Sequence, residues 1–99
     1  MTLDTRLYEG NRAKEILESD VFNGAFDAIE AEVIEKWKNS PARDSTGRES
    51  LWTYLQLLQK LKAQLTSTME SGKLAALDIQ HSQTMRDKLK TVWDGMRSA

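Results

Sequence analysis

The chain holds one histidine, His81, with Asp78 three residues before it. On a helix that spacing puts an imidazole and a carboxylate on one face, where both can ligate a metal ion. Di-metal helical bundles need two such carboxylate–histidine pairs and additional glutamates. Only one pair is present, so a surface histidine is the preferred reading and no metal site is assigned. A second group of interest is Asp27, Glu30, Glu32 and Glu35. Paired carboxylates do acid–base work when burial separates their pKa values. These four alternate with apolar residues along one helical stretch, which makes them a solvated acidic face and, at most, a docking face for a basic partner.

The segment SPARDSTGR (Ser40–Arg48) has a proline, a glycine and two arginines. It lacks the GxxxxGK[ST] spacing that wraps backbone amides around phosphates. Arg43–Asp44 and Arg48–Glu49 are expected to fix the loop. Cysteine is absent, which excludes disulfides, thiolate metal sites and cysteine nucleophiles. No serine, histidine and aspartate stand in a recognisable catalytic motif. No catalytic residue, metal or cofactor is therefore assigned.

Basic residues are diluted. Arg86, Lys88, Lys90 and Arg97 accompany Trp93 near the end of the chain, interspersed with Asp87 and Asp94. The formal net charge is −1, so there is no electrostatic footprint for nucleic acid or an anionic membrane. Residues 1–40 carry five Lys/Arg and nine Asp/Glu, and residues 41–99 carry nine and six. An acidic front and a mildly basic back can complement each other within a fold or head to tail between copies, although solvated helix faces are the simpler reading.

These residues must be positioned by helices. With 99 residues, one proline and five glycines, and without alternating β-branched runs, the chain reads as one all-α domain. Its first helix is expected over Thr5–Glu18. A second should run from Val21 to Lys38, capped by Ser19 or Asp20, because Phe22, Ala25, Phe26, Ile29, Val33, Ile34 and Trp37 follow the i, i+3, i+4, i+7 template. Asn39-Ser40-Pro41 stops it, since proline disfavours helical geometry in the residue before it. Thr46 and Glu49 match a capping box, with Asp44 and Ser45 as competing caps. From Gly47 to Ser71 the leucines run at helical spacing, a helix of about 37 Å. Gly72 stands where a C-cap commonly ends a helix, and equally inside a longer one. A fourth, amphipathic helix is expected over 83–97, with Met85, Leu89, Val92, Trp93 and Met96 on one face. The fold class is thus all-α: a helical hairpin of long antiparallel helices (about 20–72), a short N-terminal helix and an amphipathic C-terminal helix.

The long stripe needs something to cover it, and a domain this small is often supplemented by oligomerisation. The candidate interface residues are Trp52, Leu55, Leu58, Leu65, Met69, Leu89 and Trp93. Trp52 sits one residue past the stripe and suits an interface anchor, although core packing suits it as well. Trp37 and Trp93 lie on apolar faces and are expected in the core. No apolar run approaches the roughly 20 residues of a membrane span, and the opening MTLDTRLYEGNRAKE has no basic segment followed by an apolar core. A cytoplasmic location follows as the expectation.

Between Arg12 and Ala75 the chain resembles a family of small, mostly uncharacterised helical proteins of tailed phages and prophages. The segments that carry the resemblance are RAKEIL, VFNGAF, EKWKNSPARD, GRESLW and ESGKLA. It implies a viral origin, a helical fold and a role among structural and head-assembly proteins, with no catalytic residues to transfer. The expected function is non-enzymatic: protein–protein interaction in virion assembly, or a virion-associated structural component, in the host cytoplasm or the virion. The expected partners are other copies of the chain and phage structural proteins. The rival readings are an inhibitor of a host or defence protein, for which an exposed Asp27–Glu30–Glu35 face would speak, and a small terminase-like DNA-packaging subunit.

Overall fold

The computed structural model describes residues 2–98. It contains α1 (Leu3–Leu17), α2 (Asp20–Asn39) and α3 (Ser45–Ser98), with no strand among the described residues. Each boundary has a local cause. The Thr2 hydroxyl accepts a hydrogen bond from the Thr5 amide and caps α1. Ser19 does the same for α2 through the Phe22 amide. The corner between the two helices is stitched by Asn23, whose side-chain amide donates to the carbonyls of Leu17 at 2.8 Å and Ser19 at 3.0 Å. Ser40, placed before Pro41, takes up extended backbone with φ −72° and ψ 142°, as the proline demands.

Helix α3 starts on Asp44. Its carboxylate accepts from the Gly47 amide at 3.0 Å, and its carbonyl accepts from the Arg48 amide. Asp44 therefore takes the capping role expected of Thr46, which lies inside the first turn of α3. An aspartate is among the strongest N-caps and adds a negative charge at the positive end of the helix dipole.

The largest departure from the sequence reading is the length of α3. The long helix and the separate fourth helix over 83–97 are one helix of 54 residues. Gly72 does not end it: no glycine in the described chain has positive φ, and the left-handed C-cap geometry is absent there. His81-Ser82-Gln83-Thr84 is a polar part of the same helix and not a break. The result is a rod with principal extents of 85 × 25 × 17 Å and a radius of gyration of 23.2 Å, where a compact chain of this length would have about 13 Å.

Packing is correspondingly thin. Among the described residues the buried hydrophobic side chains are Ala13, Phe26 and Ala75, and no large side chain is fully buried. The chain exposes 7920 Å², against about 5,700 Å² expected for a compact monomer of this mass. No helix of the described residues is long and apolar enough to cross a membrane.

Candidate interaction surface

α3 carries apolar and small residues at heptad spacing through most of its length. Leu51, Leu58, Leu65, Gly72 and Ile79 recur every seven residues, and all are half-buried or buried. Between them Leu55, Met69 and Ala76, each four residues after one of these, are also half-buried. That is the 4-3 repeat by which helices pair side by side. α1 and α2 occupy different lengths of it.

α2 lies on the first stretch. The Arg48 guanidinium stacks 4.3 Å from the centre of the Trp37 ring and donates to Ser40 Oγ at 3.0 Å and to the Ser40 carbonyl at 3.3 Å. Arg48 was expected to fix the loop with Glu49; its partners lie instead at the end of α2, where a cation suits the negative pole of the helix. Farther along, the Lys62 ammonium stands 4.9 Å from the Phe26 ring. Phe22 and Phe26 form a tilted aromatic pair with centroids 6.1 Å apart.

α1 lies on the next stretch, and glycine makes the approach possible. A Cβ built on Gly10 would stand 2.5 Å from the Gly72 Cα, and one on Gly72 would stand 2.6 Å from the Gly10 Cα. Neither glycine needs an unusual φ; each is required because two backbones meet. Ala13 and Ala75, three residues on in each helix, are among the buried side chains. Leu7, Met69 and Ala76 line the crevice beside this contact. Arg6 closes it, with Nε donating to Ser71 Oγ at 2.9 Å and Nη2 to the Ser71 carbonyl at 3.1 Å. The signal for this contact in the sequence is the shared pattern of glycine followed three residues later by alanine, at Gly10–Ala13 and Gly72–Ala75.

The candidate interface residues divide between these regions. Leu55, Leu58, Leu65 and Met69 are half-buried within the chain. Trp52 is 57% exposed, Leu89 64% and Trp93 62%. Trp37 and Trp93, expected in the core, are both exposed: Trp37 presents its ring to Arg48, and Trp93 lies beyond the reach of α1 and α2. Residues 80–97 are all exposed, and the Met85, Leu89, Val92 and Met96 face is open. A second open strip, Tyr54, Leu57 and Leu61, lies beside α2's seat on α3.

The groups with possible chemistry are scattered. Asp78 and His81 are exposed on α3, and among the described residues no three metal-ligating side chains gather closely enough to hold an ion. Asp27, Glu32 and Glu35 are exposed and Glu30 is half-buried. Glu32 pairs with Lys36 at 3.2 Å, and Glu35 accepts from Asn39 at 3.1 Å. These are surface interactions worth a few tenths of a kcal/mol each. What the arrangement offers is exposed apolar helix surface. No protein-family model matches the chain, and neither curated proteins nor solved structures match it.

Proposed function

We propose that this is a non-enzymatic phage protein that works by protein–protein interaction, in virion assembly or as a virion-associated structural component. In this reading α2 and the first half of α3 act as a helical hairpin that stiffens the rod. The far half of α3 and the open strip beside α2 meet other copies and other phage structural proteins, in the host cytoplasm or the virion. The observation that carries the reading is the surplus of exposed surface. The 7920 Å² of accessible area exceeds that of a compact monomer by about 2,200 Å². Obligate homodimers commonly bury about 1,000–2,500 Å² per partner. The near-neutral charge speaks against nucleic acid as the main partner. The phage context rests on the resemblance over Arg12–Ala75.

Affinity capture of the tagged chain from cells producing the phage tests this. Recovery of portal, capsid or terminase proteins is expected. Recovery of a host protein alone would overturn the reading in favour of an inhibitor. That second reading has one observation on its side, the exposure of Asp27 and Glu35 on α2.

A further inference from the structure

The seam on α3 runs on past the helices seated on it. From Leu51, Leu55 and Leu58 through Gly72, Ala76 and Ile79 it keeps a 4-3 spacing, and the same spacing continues through Gln83, Arg86, Lys90, Trp93 and Arg97. α2 and α1 lie on the first two stretches. Every residue over 80–97 is exposed, so neither helix covers the third. The uncovered stretch is about 27 Å long and α2 is about 30 Å, so a helix of that size would fill it. The seam also changes chemistry here. Leucine, glycine and alanine give way to two arginines, a lysine and a tryptophan. Residues 80–97 hold four bases and two acids, a balance of +2. Arg86, Lys88, Lys90 and Arg97 form no ion pair with another described residue. A helix that seats here must bring acids.

α2 is a helix of that kind. It holds five acids and two bases, a balance of −3. Asp20, Gly24, Asp27 and Ala31 are exposed and repeat the 4-3-4 spacing of Arg86, Lys90, Trp93 and Arg97. Run antiparallel, the two stripes set Arg97 opposite Asp20, Trp93 opposite Gly24 and Lys90 opposite Asp27. Two bases meet two acids, and the largest side chain meets the smallest residue, where a Cβ would find nothing within 4 Å in its own chain. Arg86 falls opposite Ala31, one turn from both Asp27 and Glu35. The chain's own α2 is already held at the other end of α3, by Arg48 on Trp37 and Lys62 on Phe26. The matching α2 is therefore that of another copy. A polyanion such as duplex DNA would meet Asp87 among these bases and a chain of net charge −1 behind them, and it has no counterpart to the stripe's spacing.

We infer that residues 80–97 of α3 dock on α2 of a second copy, with Lys90, Trp93 and Arg97 against Asp27, Gly24 and Asp20. The contact joins two different patches, a heterologous arrangement. This rests on the proposed association reading and specifies its surface and its occupant. The test is sedimentation equilibrium of the full chain over a range of concentrations, with circular dichroism to verify that the helices persist. Lys90→Glu and Asp27→Lys change exposed residues, and each sets like charges opposite one another across the contact. Each is expected to raise the dissociation constant by about 10-fold or more. The chain carrying both substitutions regains opposite charges and should associate nearly as wild type does. Mixing is the second readout. Every contact between a Lys90→Glu chain and an Asp27→Lys chain again pairs opposite charges. At a concentration where neither variant associates alone, their equimolar mixture is expected to do so. Association of the Asp27→Lys chain at wild-type strength would overturn this inference and leave the association reading intact. A wild-type monomer at every concentration would overturn both, and duplex DNA binding lost in Lys90→Glu would then assign the stripe to nucleic acid.

Discussion

Gly10 and Gly72 meet backbone to backbone, and this contact seats α1 on α3. A methyl group on either would fall about 2.5 Å from the other's Cα, well inside van der Waals contact, so the helices must move apart to admit it. Gly10→Ala is expected to destabilise the chain by about 1–3 kcal/mol, although alanine is the better helix former by about 1 kcal/mol. Gly24→Ala is the control. A Cβ there meets nothing within 4 Å, so the propensity gain should appear nearly whole. Thermal unfolding followed by circular dichroism checks both. A gain in stability at Gly10 equal to that at Gly24 would contradict the close approach.

Arg6 fastens the same junction from the side. Arg6→Ala removes both hydrogen bonds to Ser71 and should cost about 1 kcal/mol. Hydrogen exchange of the α1 amides should accelerate while that of α2 stays unchanged, because the Arg6 side chain bridges α1 to α3.

The start of α3 separates two caps that the sequence left in competition. Asp44→Ala should cost about 1 kcal/mol, the usual loss for an N-cap, because the Gly47 amide loses its acceptor. Thr46→Ala should fall within about 0.5 kcal/mol of wild type, as surface substitutions do. Denaturant unfolding of the two variants decides between them, and a larger loss at Thr46 would restore the capping box.

Leu58 sits at a half-buried seam position midway along the first stretch of α3. Leu58→Asp is expected to abolish folding or association, since a carboxylate would have to be buried without a partner. Sedimentation showing an unchanged, folded species would contradict the packing of α2 on α3.

The helical class was legible because the apolar spacing in α2 and α3 has a single period. The stops at Ser19 and Pro41 were legible because their chemistry is local. The cap at Asp44 was visible only as an alternative, because Asp44, Ser45 and Thr46 all suit the role and their neighbours do not choose among them. The continuity of α3 was harder to read. Gly72 looks like a terminator by composition, yet it serves as a contact point for a helix sixty residues away in sequence, and the sign of that contact is the glycine–alanine spacing it shares with Gly10–Ala13. Trp93 was misplaced for a related reason. An apolar face in sequence looks the same whether the chain itself covers it or leaves it for a partner.

Mass tests the association reading most directly. Light scattering coupled to size exclusion is the suitable form, because a rod of 85 Å elutes early whatever its mass. For the full 11.3 kDa chain at micromolar concentration, a dimer or higher oligomer with high helix content is expected. A folded monomer that keeps the whole of α3 helical would contradict the claim that this helix is completed by association.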